Sequence, residues 1–418
     1  MGAQSESEAL SGAAWQNAVL NRPVLASALG NFVVTYDLVL FSIVRIPSLT
    51  SMGVTGHDLL ETGFDLLDLQ MLGMLLGGFL WGILADKIGR LPVLFISAAL
   101  YSIANISNAF ATTVDSYSIL RFLAGFGMAG ELGASVTIVS EMLPRLTRGF
   151  GTSFVAGIGV IGAIAAAIVT AHTDWETAYL VGGVLGLVGL AARLPLGESI
   201  MYEHMRNLRE LPRGRLDWFF NSRDRFRRLA HCILLGMPTW FVIGILVTFS
   251  PEICAALGAT EPVSAGEGVI YYYVGLSLGS LGAGWLSQLW HSRRRTLVVL
   301  VGITAWIFAG FVLLERGTPG LYYGIFTVLG LFSGYWALFV AIPAEQFGTN
   351  LRGTATILIP NIIRGSVVVL TASVHLLSKS IGLVSGVTIV GAVCFAMSLL
   401  GIWRLPESFG RDLDFVER

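Results

Sequence analysis

The chain has 418 residues, 54% of them hydrophobic and only 13% charged, with a formal net charge of −1. A mean hydropathy of +0.74 is more than a soluble core needs, and the near-neutral balance without a basic, aromatic-rich stripe argues against nucleic-acid binding. Cys232, Cys254 and Cys394 stand singly in or beside apolar runs with no metal-type spacing, so they read as packing residues and no metal or cofactor is expected.

The segment before Pro23 is polar and carries only Arg22 as a positive charge, so the first apolar run is expected to be a true span rather than a cleaved signal. Twelve apolar runs of bilayer-crossing length follow. They cover Pro23 to Ile46, Leu66 to Leu84, Leu91 to Ala111, Ser118 to Leu143, Phe150 to Ala171 and Ala178 to Leu196. After the one long polar interruption, Glu198 to Arg228, come Leu229 to Pro251, Gly266 to Leu289, Thr296 to Leu314, Leu321 to Ala344, Thr354 to Leu377 and Leu383 to Trp403. The expected organisation is a six-helix bundle over residues 1–199, a basic linker over 200–228 and a second six-helix bundle over 229–418.

Charge is divided between the two sets of loops. Lys87, Arg90, Arg145, Arg148, Arg293, Arg294, Arg295, Arg352 and the linker arginines, among them Arg206, Arg209 and Arg213, fall at one end, called here the basic end. Asp58, Glu61, Asp115, Asp174, Glu176, Glu252 and Glu261 fall at the other, the acidic end. The positive-inside rule predicts a cytoplasmic basic end with both termini inside, in a bacterial cytoplasmic membrane.

Ionisable residues within the spans are costly in a bilayer and mark a polar path. The stretch from Arg121 to Gly149 carries Arg121, Glu131, Glu141 and Arg148 among small residues that permit close approach. Asp37 lies about 21 Å into the first span at ~1.5 Å per residue, a depth at which Arg121 can meet it. Such a pair can exchange a proton when it is pulled apart, although it can equally be a static ion pair. Glu131 lies about 15 Å deeper than Arg121 and reads as a second protonation site, a substrate contact, or a buried acid that is merely hydrogen-bonded. Arg364 lies about 18 Å past Arg352, near mid-membrane, where its fork suits a carboxylate or phosphate. No acid in the second half's spans lies at that depth, so its partner is expected to be Glu131, an anionic substrate, or both in turn. Trp240, Tyr271, Tyr272, Tyr273, Tyr335, Trp336 and Asn361 can stack on or hydrogen-bond a polar organic molecule, or simply pack. Pro238, Pro343 and Pro360 interrupt helices of the kind that line cavities. Asp86 sits where it can cap a helix of the other half.

The two halves repeat. Glu141-MLPRLT-Arg148-Gly149 recurs as Glu345-QFGTNL-Arg352-Gly353, and the same offset carries Gly130 onto Gly334. The turn WGILADKIGR, residues 81–90, has a worn counterpart in residues 282–294. Parallel six-helix repeats are the architecture of rocking carriers.

With these motifs the whole chain resembles the major facilitator superfamily. The segment from Gly82 to Arg90 resembles its signature between the second and third helices, and Arg121-FLAGFGMAG its fourth-helix signature. The Glu-x6-Arg-Gly ends are similar to those of its sugar-porter, metabolite–proton symporter and organic-ion branches. Leu196-GESIMY resembles the end of their sixth helix, with Gly197 in place of a proline. The fifth-helix proline of drug–proton antiporters is missing from GIGVIGAIAA, residues 157–166. The resemblance implies an all-α membrane protein of twelve transmembrane helices in two pseudo-symmetric six-helix bundles. It implies a cytoplasmic gate of Gly82, Asp86, Arg90, Glu141, Arg148, Glu345 and Arg352, with Arg90 paired to an acid such as Glu141. Tyr36-Asp37 looks like the first-helix pattern of proton-linked symporters, in which the aspartate accepts the proton beside Arg121. Gly130-Glu131 resembles the pattern of organic-acid and phosphate carriers.

The function expected is a proton-coupled symporter, not an enzyme, that imports a small organic anion by alternating access as a monomer in the lipid bilayer. Its substrate site is expected to contain Arg364, Glu131, Tyr36, Trp240, Tyr272, Tyr335, Trp336 and Asn361. A carrier of a neutral or zwitterionic solute, by symport or uniport, is the alternative, and a non-transporting receptor on a carrier fold is another.

Overall fold

The computed structural model describes residues 21–56, 58–143, 148–198, 214–410 and 415–417. Arg145, Arg206, Arg209 and Arg213 lie outside the described residues, as do most of the linker and the side chain of Arg148. Among the described residues there are no strands, and twelve helices are long and apolar enough to cross a membrane. They are α1 (Arg22–Ser51), α2 (Asp58–Lys87), α3 (Arg90–Asn108), α4 (Val114–Met142), α5 (Phe154–His172) and α6 (Trp175–Arg193) in the first half. The second half holds α7 (Arg223–Val247), α8 (Ala265–Leu289), α9 (Arg293–Val312), α10 (Pro319–Gln346), α11 (Asn350–Ile381) and α12 (Leu383–Arg404). The chain is an integral membrane protein of the expected all-α class.

Polar residues set the helix ends. Thr113 and Ser116 make a reciprocal cap on α4, Asp174 accepts from the Thr177 N–H at 2.8 Å to start α6, and Ser292 accepts from the Arg295 N–H at 3.1 Å to start α9. Hydropathy placed two starts too late. α2 begins at Asp58 rather than Leu66 and carries Asp58 and Glu61 in its first turn, where acids complement the helix dipole. α7 begins at Arg223, so residues 223–228, expected in the linker, form its first turns.

The halves pack alike. α1 lies against α5 and α6 as α7 lies against α11 and α12, and α2 lies against α4 as α8 lies against α10. Two long seams join the halves, α2 on α11 and α5 on α8, each being the pseudo-symmetric image of the other. The internal repeat also shows in the backbone: α4 is interrupted between Met128 and Glu131 and α10 between Ser333 and Trp336, at the matched residues Gly130 and Gly334. α7 widens into a π-turn over Val242–Val247 after Pro238.

Candidate functional site

A cavity of about 50 Å³ lies between the halves. The first half contributes Asn31, Thr35 and Leu132, and the second contributes Trp240, Tyr272, Trp336 and Arg364. Arg364 is 4% exposed and forms no ion pair among the described residues. Its Nη1 donates to Asn361 Oδ1 at 3.0 Å, its guanidinium carbon stands 5.4 Å from the centre of the Trp240 ring, and its Nε has no hydrogen-bond partner. The Trp240 Nε1 is likewise unpartnered, and the Trp240 and Trp336 rings meet edge to face at 6.2 Å. Buried polar groups of this kind are almost always satisfied, so unpartnered donors on residues that line a cavity mark a candidate ligand site.

Three residues expected in this site stand behind its wall. Tyr36 is buried in the first half and donates its hydroxyl to the Ala178 carbonyl at 2.9 Å. Tyr335 is fully buried and does not line the cavity. Asn361 spans the halves, its Nδ2 donating to the Ala129 carbonyl at 2.8 Å, and acts on the cavity only through Arg364.

Glu131 departs furthest from expectation. It is fully buried and held in a two-pronged ion pair, not by Arg364 but by Arg193 at the end of α6. Arg193 Nη1 reaches Glu131 Oε2 at 3.0 Å, Nη2 reaches Oε1, and the Ser135 hydroxyl donates to Oε1 at 3.2 Å. The pair fits only because residue 30 is glycine: a Cβ there would overlap both the guanidinium and the carboxylate. Arg193 is not singled out by the sequence. Only its burial, at 1% exposure, reveals the pairing.

Asp37 and Arg121 share a second polar pocket, inside the first half and turned away from the cavity. Both are fully buried. They do not form a direct ion pair, because Arg121 Nη2 donates to Asn105 Oδ1 at 2.7 Å and its guanidinium carbon lies 4.7 Å from the Tyr179 ring centre. Asp37 has Asn105 and Arg121 as its polar neighbours, yet neither carboxylate oxygen makes a geometric hydrogen bond among the described residues. Arg121 Nε and Nη1 are unpartnered too. Gly182 of α6 makes room for the acid, since a Cβ there would overlap Asp37 Oδ1.

Contacts join the halves at both ends of the cavity among the described residues. At the basic end Asp86 Oδ2 accepts from the Thr354 N–H at 2.9 Å and the Thr354 hydroxyl at 2.6 Å, close to the start of α11 and across the halves. Gly82 lies against Thr354, and Thr137 meets Thr356 at 2.8 Å. Arg90 stands 3.1 Å from Glu141 and 3.4 Å from Asp86, while the pseudo-equivalent Arg293 stands 3.1 Å from Glu345. Arg352 is buried and its Nε donates to the Ala344 carbonyl at 3.2 Å. At the acidic end Arg45 pairs with Glu252 at 2.6 Å, Ser42 meets Thr248 at 2.8 Å, and Phe64 packs on Phe249 with centroids 4.2 Å apart. The Thr371 hydroxyl donates to Asp68 at 2.6 Å. Arg45, Asp68 and Asn105 were not singled out in the sequence, although all three lie inside predicted spans.

The family model described as Major Facilitator Superfamily matches residues 10–372. The "Probable 4-methylmuconolactone transporter" of Cupriavidus pinatubonensis is 26% identical over 404 residues, covering 91% of this chain and 89% of that protein. The "Niacin transporter NiaP" of Acinetobacter baylyi is 32% identical over 334 residues, covering 70% and 73%. The fold matches the crystal structure of a D-xylose–proton symporter with a TM-score of 0.69 at 17% identity, over 94% of this chain and 99% of that one.

Proposed function

We propose a function from one premise: the chain belongs to the major facilitator superfamily. It is a membrane transporter and not an enzyme. In our reading it imports a small cyclic organic acid together with a proton, by alternating access across a bacterial cytoplasmic membrane, with the basic end and both termini in the cytoplasm.

The observation that carries the substrate class is Arg364, a buried guanidinium at the cavity with no acid partner among the described residues and a tryptophan on its flank. A planar carboxylate matches its donor fork, and a flat ring matches the Trp240 and Trp336 surfaces. The names of two relatives, a niacin and a methylmuconolactone transporter, accord with a small cyclic compound. Contacts across the halves at both ends of one central cavity fit a carrier between its two open states. Asp37 supports proton coupling: it is a fully buried acid with unused hydrogen-bonding capacity, separated from Arg121 by Asn105. A change in that spacing alters how strongly the guanidinium stabilises the carboxylate, and so alters its hold on a proton.

The test is uptake of radiolabelled nicotinate and benzoate into proteoliposomes under an imposed inward proton gradient, with nicotinamide as the neutral isostere. Uphill accumulation of an acid that collapses with the gradient is the expected result. Equal uptake of nicotinamide would overturn the anion reading, and accumulation indifferent to the gradient would overturn the coupling.

A further inference from the structure

α2 and α11 run antiparallel along the longer seam between the halves, with Gly78 against Asn361 and Leu75 against Gly365 at the middle. An aspartate of α2 meets a threonine of α11 at each end: Asp86 with Thr354 at the basic end, Asp68 with Thr371 about five helical turns away at the acidic end. The two contacts look alike but differ chemically. Asp86 accepts from the Thr354 N–H and hydroxyl and stands 3.4 Å from the Arg90 guanidinium. An ionised carboxylate there keeps a backbone N–H and a cation, even though Glu141 is nearby and the Thr354 hydroxyl also reaches the Gly82 carbonyl at 3.3 Å. Asp68 faces one hydroxyl whose single proton has rival acceptors. Thr371 Oγ1 stands 2.6 Å from Asp68 Oδ1, 2.9 Å from the Val367 carbonyl and 3.1 Å from the Val368 carbonyl.

A threonine hydroxyl donates one hydrogen bond and accepts two. With Asp68 ionised, the carboxylate and the Val367 carbonyl compete for the same proton. With Asp68 protonated, its O–H donates to Thr371 Oγ1 while the Thr371 O–H keeps its bond to the Val367 carbonyl within α11, so the one contact across the seam no longer competes with the helix's own hydrogen bond. The other charged groups nearby do not supply a donor to Asp68. On its own helix stand the acids Asp65 and Glu61, and on α11 His375 lies 4.0 Å from Glu61. Arg45 of α1 is engaged with Glu252 and the Leu59 carbonyl. α4 faces this stretch of α2 through Phe122 and Gly125, with Arg121 turned to Asn105 and Tyr179.

We infer that Asp68 and Thr371 form a proton-tightened latch on the acidic-end mouth, opposed to an ionic latch of Asp86 and Thr354 at the basic end. Asp68 is thus a positioning residue: binding a proton favours closure of the mouth through which proton and solute arrive. This rests on the alternating-access reading above but not on the identity of the solute.

The experiment measures the distance between spin labels on cysteines placed at exposed Thr55 and Ala256, in purified full-length protein without solute; the three native cysteines are buried. Lowering the pH from about 8 to about 5 is expected to reduce the open-to-closed ratio of the acidic-end mouth by roughly fivefold, the worth of about one net hydrogen bond. Asp68→Asn, which donates to Thr371 at every pH, is expected to stay closed and lose the response, and Thr371→Val to stay open and lose it. Thr371→Ser and Asp65→Asn keep the response. An undiminished response in both Asp68→Asn and Thr371→Val, or none in the parent protein, overturns the latch. Failure of the transport reading shows separately, as absent uptake in proteoliposomes while the pH response of the labels persists.

Discussion

Breaking the Glu131–Arg193 pair offers the sharpest test of how the first half is held together. Both side chains are out of water, at 0% and 1% exposure, and both carboxylate oxygens are engaged by the guanidinium. Arg193→Met removes the cation but leaves Glu131 with only the Ser135 hydroxyl, and an orphaned buried charge costs about 3–5 kcal/mol. Glu131→Met orphans Arg193, whose remaining contact is the Ala26 carbonyl at 3.5 Å, at a similar cost. The double variant orphans neither, and replacing a buried pair by packed apolar groups is often neutral or stabilising by about 1–4 kcal/mol. Thermal unfolding in detergent, followed by intrinsic fluorescence, should therefore show two depressed single variants and a double variant near the parent. Penalties that simply add would refute the pairing. Uptake by the stable double variant then separates two roles. Normal transport makes the pair a structural clamp between α4 and α6, and transport lost without loss of stability makes Glu131 a moving part of the cycle.

Asp37→Asn is expected to abolish uphill uptake while sparing counterflow exchange, and pH-driven accumulation by this variant would count against Asp37 as the coupling acid. Arg364→Lys loses the planar fork and should weaken binding of an aromatic carboxylate at least tenfold by scintillation proximity; unchanged affinity would point to a neutral solute. Asp86→Asn weakens the contact with Thr354 and should raise the inward-open fraction seen by labels at the basic end without changing solute affinity. Glu407 lies beyond the last span. Burial pushes its carboxyl up, but hydrogen bonds from Ser292 and the N–H groups of Phe409, Arg293 and Arg294 hold it below the ordinary glutamate value. The stability it gives is therefore present above the ordinary value and fades as pH falls through the lowered one. Glu407→Gln should flatten the acid side of the Tm–pH curve, and an unaltered curve would show that the cap on α9 is idle.

Much of the architecture was legible in the residues. Twelve apolar runs gave twelve spanning helices, and the offset that relates the Glu-x6-Arg-Gly ends also matched Gly130 to Gly334, although the backbone interruptions at those two residues were not expected from the sequence. The apolar criterion itself hid the starts of α2 and α7, since it stops at Asp65 and Arg228, short of the Asp58, Glu61 and Arg223 that the helix termini accommodate. Side-chain partnerships were less accessible. Depth along a helix placed Glu131 and Arg364 at comparable levels, but depth does not fix the direction around the helix axis. Glu131 turns toward α6 and Gly30, while Arg364 turns into the cavity. Arg193 carried no sequence mark because it sits where a membrane helix ordinarily ends in a basic residue. Asp68 was not singled out although it lies inside the second predicted span, because two residues from the span's expected start it looks like an acid at a helix end.

The matched interruptions in α4 and α10 give each half a waist. Glu141 and Glu345, which hold the basic-end turns, both lie on the segments beyond those breaks, and Trp336 stands immediately after the second. On the alternating-access proposal, a solute that displaces the Trp336 ring pushes on the segment whose far tip is the Glu345–Arg293 contact. On that proposal the basic-end mouth starts to part by bending at the two interrupted turns before either bundle swings as a whole.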